Sequence, residues 1–228
     1  MATYAIVHGA GDAGANWDLV AAELRERDHE VVAPDLPADD ESAGLSEYTD
    51  AVVEAIGDRT DVVVVGHSLG GFTAPLVCQR VPVDLLVLVA GMVPSPGEKA
   101  GQWWTNTGHG EAFDDRWKDD EVAQFLHDAP PDRAAAALEN GRDQAAAPMV
   151  EPWPLDAWPE VATRYLLCRD DRLLPAEWTR RMVRERLGIE ADEIDGGHMP
   201  YVSRPKELAQ RLDAYRIETK ESETWVSR

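Results

Sequence analysis

Lysine is scarce in this chain. Only Lys99, Lys118, Lys206 and Lys220 are found among its 22 basic residues, and 43 carboxylates outnumber the bases to leave a formal charge of −21. A nucleic-acid partner requires cations that displace counterions from phosphate, so this balance excludes that class. It argues against an anionic membrane surface for the same reason. The acidity itself reads as a solvated surface that aids solubility and says nothing about a reaction. Cysteine is almost absent. Cys78 and Cys168 have no Cys-x-x-Cys or Cys/His spacing, which excludes zinc and thioredoxin-like chemistry. Both stand in apolar stretches and read as buried free thiols, pointing to a reducing, cytoplasmic compartment. Long hydrophobic runs are missing too. The stretch from Leu85 to Val93 falls far short of the roughly 20 residues a bilayer requires. The opening residues, Met1 to His8, have no basic start and no long apolar region, so a secretory signal is not expected.

What is present is a globular composition: 228 residues, 44% hydrophobic and 29% charged. That length suits a single core. Short β-branched runs alternate with segments of helical period. Tyr4–Val7, Glu30–Ala33, Val62–Val65, Leu85–Val89 and Arg164–Leu167 read as strands, with Ile189–Ile194 a weaker sixth. The all-valine run and Leu85–Val89 are apolar on both faces, as parallel strands covered by helices must be. Between them, Trp17, Val20, Ala21 and Leu24 share a helical face, and so do Tyr48, Val52 and Ile56 behind a candidate N-cap at Ser46. Further helices are expected after Ser68, from about Pro175, and from Pro205 to Tyr215. This alternation predicts an α/β fold with a doubly wound, mostly parallel sheet. Residues 94–159 break the rhythm. They hold Trp103, Trp104, Trp117, Trp153 and Trp158 and no strand pattern, and are too long for a simple connection, so they read as a compact helical insertion. The expected organisation is a core of residues 1–93 and 160–217, the insertion at 94–159, and a polar, frayed tail at 218–228.

The strongest chemical signal is Gly66-His67-Ser68-Leu69-Gly70-Gly71, which follows the all-valine strand and precedes a helix. G-x-S-x-G in that setting is a nucleophile elbow: a sharp turn lifts the serine clear of the sheet, and only small residues fit two positions to either side. A serine hydroxyl needs a base. Of six histidines, His198 sits in a loop between the last strand and the last helix, on the sheet edge that also carries the elbow. His8 reads as shaping the loop after the first strand, His67 as packing; His29 lies in a charged turn, and His109 and His127 in the insertion. An orienting carboxylate follows the strand Arg164–Leu167, where either Asp170 or Asp171 could reach His198. The order Ser, Asp, His is that of α/β-hydrolases. An oxyanion needs two donors: the Leu69 amide, and one from the glycine-rich loop His8–Gly14. Gly9, Gly11 and Gly14 also match G-x-G-x-x-G, with Asp35 in place for a ribose; beside the elbow, this dinucleotide reading is the weaker one.

The stretches Ile6–Ala10, Val31–Pro37, the elbow, Asp171-x-x-x-Pro175 and Gly197–Pro200 through Leu208 make the chain similar to the α/β-hydrolase superfamily. It most resembles the small subgroup of plant methylesterases, hydroxynitrile lyases and their bacterial esterase relatives. The resemblance implies Ser68 as nucleophile, His198 as base and Asp171 as acid, because the family pattern places a proline four residues after the acid. It implies the Ala10 and Leu69 amides as the oxyanion hole. Lyases of this subgroup carry a lysine after the catalytic histidine and a threonine in the His-Gly loop; Met199 and Ala10 stand there, so the esterase branch fits better. Epoxide hydrolases and haloalkane dehalogenases have aspartate at the elbow instead of serine. The expected function is hydrolysis of a small, apolar carboxylic ester, with no cofactor and no metal. Trp104 and Met199 are the candidate substrate contacts, and the other insertion tryptophans read mostly as packing. Lactone or thioester hydrolysis, carbon–carbon cleavage, a biosynthetic step on the same triad, and a non-catalytic small-ligand receptor are the alternatives. Nothing in the sequence indicates an oligomeric state.

Overall fold

The computed structural model describes residues 1–226, with the side chains of residues 1–222. Six strands form one sheet: β1 (Thr3–Val7), β2 (Glu30–Val32), β3 (Val62–His67), β4 (Leu85–Val89), β5 (Thr163–Cys168) and β6 (Asp192–Ile194). Their order is β2-β1-β3-β4-β5-β6 and every pairing is parallel. β1, β3 and β4 are buried at every position. That follows from their unbroken apolar sequences, since helices cover both faces. The chain winds outward from β1 to the edge strand β2, then crosses back to β3 and proceeds the other way. The switch point lies between β1 and β3, where the loops leaving the two carboxyl ends diverge and a crevice must open.

The helices are α1 (Asp18–Arg25), α2 (Leu45–Ile56), α3 (Gly70–Val77), α4 (Ala100–Asn106), α5 (Glu121–Phe125), α6 (Pro131–Asn140), α7 (Ala147–Val150), α8 (Ala176–Leu187), α9 (Pro200–Ser203) and α10 (Pro205–Val226). The faces expected from sequence are the buried ones: Val20, Ala21 and Leu24 in α1, Tyr48, Val52 and Ile56 in α2, Trp178, Met182 and Val183 in α8. Between β4 and β5 the chain is helical, with α4 to α7 and short 3₁₀ turns.

Three local expectations are corrected. The N-cap of α2 is Gly44, not Ser46. Its amide donates to Glu47 Oε2 at 2.8 Å, and the Leu45 amide donates to Glu151 Oε2, 106 residues away, at 2.8 Å. The insertion thus supplies the acceptor that a local serine was expected to provide. The last helix does not stop at Tyr215 but continues to Val226, so residues 218–226 are helical. Lys220 holds this extension to the sheet's amino-terminal end through Asp61 (2.6 Å) and Asp84 (3.0 Å), and Thr219 Oγ1 donates back to the Tyr215 carbonyl. Trp225 lies outside the described side chains. Finally, Cys168 is buried but Cys78 is only half-buried; both are free.

Candidate active site

Ser68 leaves β3 with φ +50°, a conformation that a side-chain-bearing residue adopts only when its surroundings enforce it. The enforcement comes from close packing on both sides of the turn. A Cβ on Gly66 would lie 2.8 Å from the Ala74 Cβ, and one on Gly70 or Gly71 would run into the carbonyl of Val7 or Met92. The Ser68 carbonyl accepts from Gly71 (3.0 Å) and Met92 (2.9 Å) amides. Ser68 Oγ makes no hydrogen bond within the described residues and borders a cavity of about 600 Å³.

His198 and Asp171 come from the loops after β6 and β5. His198 Nδ1 is 2.8 Å from Asp171 Oδ2, and both side chains are almost fully buried, 4% and 1% exposed. Asp171 Oδ1 accepts from the Leu173 (2.8 Å) and Leu174 (2.9 Å) amides, so both carboxylate oxygens are committed. A carboxylate accepts only, so Nδ1 carries the proton and Nε2 is left with its lone pair. His198 lines the same cavity as Ser68. No hydrogen bond joins Ser68 Oγ to the His198 ring among the described residues, and catalytic contacts of this kind are often long until substrate binds. Asp170 is exposed, and its Oδ2 accepts from the Gly196 amide at 3.1 Å. Of the two aspartates, Asp171 is the one that faces His198. Arg172 does not pair with Asp170: it donates to the Ala123 carbonyl at 2.6 Å and lies over the Trp117 ring.

The loop after β1 forms the opposite wall. His8 Nδ1–H donates to the Gly9 carbonyl (2.9 Å) while Nε2 accepts from the Leu36 amide (3.0 Å), which holds the Gly9–Ala10 turn in place. Gly9 approaches the nucleophile elbow so closely that a Cβ there would sit 2.9 Å from the Ser68 Cβ. Ala10 and Leu69 line the cavity, and their amides find no acceptor among the described residues. The dinucleotide reading of this loop fails on contacts. The Gly14 amide already donates to Asp35 Oδ1 (2.9 Å), and a Cβ on Gly14 would run into the Ala33 carbonyl. The amide that would meet a phosphate and the acid that would meet a ribose are thus bonded to each other. Among the described residues, no cluster of three or more His, Cys, Asp or Glu could hold a metal ion.

Trp104 and Met199 both line the cavity, with Met92, Phe125, Leu126, Met149 and Leu173 as further apolar walls. The other insertion tryptophans do not. Trp103 and Trp153 are buried and donate their indole N–H to the Val93 (2.9 Å) and Phe72 (3.0 Å) carbonyls; Trp158 donates to Thr163 Oγ1 (3.1 Å). His67 packs among rings, edge-on to Trp17 and Tyr201 and tilted against His198. It also donates Nε2–H to the His198 carbonyl at 2.9 Å. Burial, and then the neighbouring His198, hold its pKa well below the ordinary value, so it is neutral.

Sequence reasoning missed one polar cluster. Asp12 is buried in the cavity wall, where Oδ1 accepts from Asn16 (2.6 Å) and Oδ2 from the Tyr201 hydroxyl (2.9 Å). Asn16 in turn donates to the Ala137 carbonyl (3.2 Å) and accepts from Asn140 (2.9 Å), which ties the insertion to the β1 loop. The available signal was a lone carboxylate inside a glycine-rich turn, overshadowed by the glycines around it.

A family model described as "Alpha/beta hydrolase family" matches residues 6–211. Methylesterase 7 of Arabidopsis thaliana is 25% identical, with 92% of this chain and 94% of that protein covered. Norfluorocurarine synthase 2 of a Strychnos species is 26% identical, with 92% and 93% covered. Among solved structures, polyneuridine aldehyde esterase superposes with a TM-score of 0.81 at 18% identity, covering 94% of this chain and 99% of that one.

Proposed function

The chain belongs to the α/β-hydrolase family, and from that premise we propose that it is a serine esterase acting on small, apolar carboxylic esters. Ser68 Oγ attacks the ester carbonyl while His198 Nε2 takes its proton. Asp171 fixes the imidazole tautomer and stabilises the imidazolium that forms. The carbonyl oxygen gains negative charge as the bond forms, and the Ala10 and Leu69 amides face that charge. His198 returns the proton to the departing alkoxide, which leaves as the alcohol. Water then repeats the sequence on the acyl-enzyme, releasing the acid and regenerating Ser68. The observation that carries this reading is the buried 2.8 Å contact of His198 with Asp171 beside the positive-φ serine, on one cavity.

The insertion at 94–159 acts as a cap over that cavity, and the apolar walls supplied by Trp104, Phe125 and Met199 favour apolar acyl or alcohol groups. Two free cysteines support a reducing, cytoplasmic setting; among the described residues no helix is long and apolar enough to cross a membrane. The similarity to norfluorocurarine synthase 2 favours, as the second reading, a biosynthetic step on the same three residues.

The test is a phosphonofluoridate probe, which should label Ser68 stoichiometrically, together with Ser68→Ala, which should lower the turnover of p-nitrophenyl esters by about 10⁴–10⁶ while the fold persists. Undiminished turnover in Ser68→Ala would sink the mechanism. A wild-type protein that binds such esters without turning them over would indicate a receptor.

A further inference from the structure

We propose that His127 and Asp128, in the turn between α5 and α6, are positioning residues that set the alignment of His198 with Asp171; this rests on the reading of that pair as the catalytic base and acid. His127 Nε2–H donates to the Asp170 carbonyl at 3.0 Å, and Asp128 Oδ2 accepts from the Gly197 amide at 3.0 Å. Asp170 and Gly197 each stand one residue before the acid and the base. The two loops also meet each other there, through the Asp170 amide and the Gly196 carbonyl at 3.0 Å. One dipeptide of the insertion therefore spans the crossing at which both loops turn toward the cavity.

A second observation points the same way. A Cβ on Gly197 would lie 2.9 Å from Asp128 Oδ1 and 2.9 Å from His127 Nε2, and one on Gly196 would run into Asp128 Oδ2. The glycine pair before His198 leaves the room that this dipeptide occupies. Nor is the Asp128 carboxylate primarily an ion-pair partner. Its distance to Arg204 Nε is 3.9 Å, well outside hydrogen-bonding range. Its close bond is to the backbone of the histidine loop.

The same segment reaches the substrate cavity. Phe125 and Leu126 line it, and the Phe125 ring lies 5.6 Å from the His198 imidazole. Residues that line the cavity are thus continuous with those that hold the two loops in register. Geometry of this kind is sensitive, since a displacement of about 1 Å at reacting groups costs on the order of 10²-fold in rate.

The experiment uses the full chain and p-nitrophenyl acetate. Asp128→Ala and His127→Ala should each lower kcat by about ten- to a hundredfold with KM nearly unchanged, and displace the acidic limb of the kcat/KM pH profile. Asp128→Asn keeps an acceptor oxygen and His127→Gln keeps an N–H donor at similar reach, so each should recover to within about threefold of wild type. Alanine variants with wild-type kcat and pH profile, whatever their melting temperatures, would overturn the proposal and leave these residues a purely structural fastening. His127 is joined to the core by one hydrogen bond and is half-exposed, so its variants decide the matter if Asp128→Ala does not fold. The downfield proton resonance of the His198 Nδ1–H···Asp171 bond gives a readout independent of turnover. It should broaden or shift in the alanine variants and return in the conservative ones; an unchanged resonance would overturn the proposal. A wild-type protein that turns over no ester sinks the esterase reading, and this resonance then decides the positioning role separately.

Discussion

Asp171→Asn replaces one oxygen by an amide nitrogen, and the contacts around that oxygen determine the outcome. In the native site Oδ1 accepts two backbone N–H groups, from Leu173 and Leu174, and Oδ2 faces His198 Nδ1 at 2.8 Å. An asparagine has one acceptor end and one donor end. Turning its NH₂ toward Leu173 and Leu174 would set donors against donors in a buried site, at a cost of about 1–3 kcal/mol for each unsatisfied group. The amide therefore keeps its oxygen on the two backbone donors and presents N–H to His198 Nδ1. That nitrogen must then accept, the imidazole proton moves to Nε2, and the base has no lone pair for the Ser68 proton. The shape of the site survives while its function is lost, and the comparable change in serine proteases costs about 10⁴ in kcat. We expect a loss of about 10³–10⁴ for Asp171→Asn in p-nitrophenyl ester turnover at neutral pH, with little change in melting temperature. Asp170→Asn retains an oxygen for the Gly196 amide, and at an exposed position it should alter kcat by less than about tenfold. The two variants are measured side by side. A larger loss in Asp170→Asn, or a mild one in Asp171→Asn, would refute the tautomer argument and move the acid by one residue.

Three further outcomes are expected. Met199 stands where the related lyases carry lysine, so mandelonitrile should release no cyanide above the uncatalysed rate; saturable release would overturn the esterase branch. Asp12, Glu121 and Asp143 border the cavity, and its Arg142 is already paired with Asp39 (2.7 Å) and Asp35 (3.5 Å). An aryl hemisuccinate should accordingly show kcat/KM at least about tenfold below a neutral isostere at low salt, with the gap narrowing as salt rises; equal values would show that the field at the cavity is compensated. Glu98 is buried with a bidentate Arg186 (2.8 and 3.0 Å). Burial alone would raise its carboxyl, but hydrogen bonds from Arg186 and Asn106 leave the pKa lowered. Glu98→Gln removes the guanidinium's counter-charge but leaves it the Ser95 hydroxyl and the Val93 carbonyl, and should cost about 1–3 kcal/mol, or roughly 2–12 °C in melting temperature. A folded-state pKa below the unfolded one gives stabilisation present above the unfolded value and lost as pH falls through the folded one. The difference from wild type should therefore shrink in acid; a gap independent of pH would contradict the assignment.

Periodicity and local chemistry made much of this protein legible. The unbroken β-branched and aliphatic runs Val62–Val65 and Leu85–Val89 read as interior parallel strands, and β1 and β3 to β5 fall where such runs predicted them. The elbow at Ser68 was readable because its requirement is local: a steric demand for small residues within a few positions of one turn. His198 followed from topology, since parallel strands deliver their loops to one edge. The glycine-rich loop shows the limit of such reading. Its G-x-G-x-x-G spacing also fits a dinucleotide loop, a reading that the elbow had already weakened, and the contacts of Gly9 with Ser68 and Gly14 with Asp35 are what the folded chain adds against it.

Everything decided by groups distant in sequence waited for the tertiary structure. The extension of α10 depends on Asp61 and Asp84 meeting Lys220, and the start of α2 depends on Glu151 reaching Leu45. Neither partner has any periodic relation to the element it holds. Trp104 was already a candidate contact from sequence, but that it lines the cavity while the insertion's other four tryptophans do not depends on which face of a short helix meets the sheet. For Asp170 and Asp171 the resemblance favoured Asp171 through the spacing to Pro175, but the physical difference between these adjacent carboxylates is the direction in which a loop leaves β5, with two amides waiting on one side and solvent on the other. Hydrophobic pattern and turn sterics act over a few residues and can be read along the chain, whereas hydrogen-bond partnership is settled only where the folded chain brings donors and acceptors together.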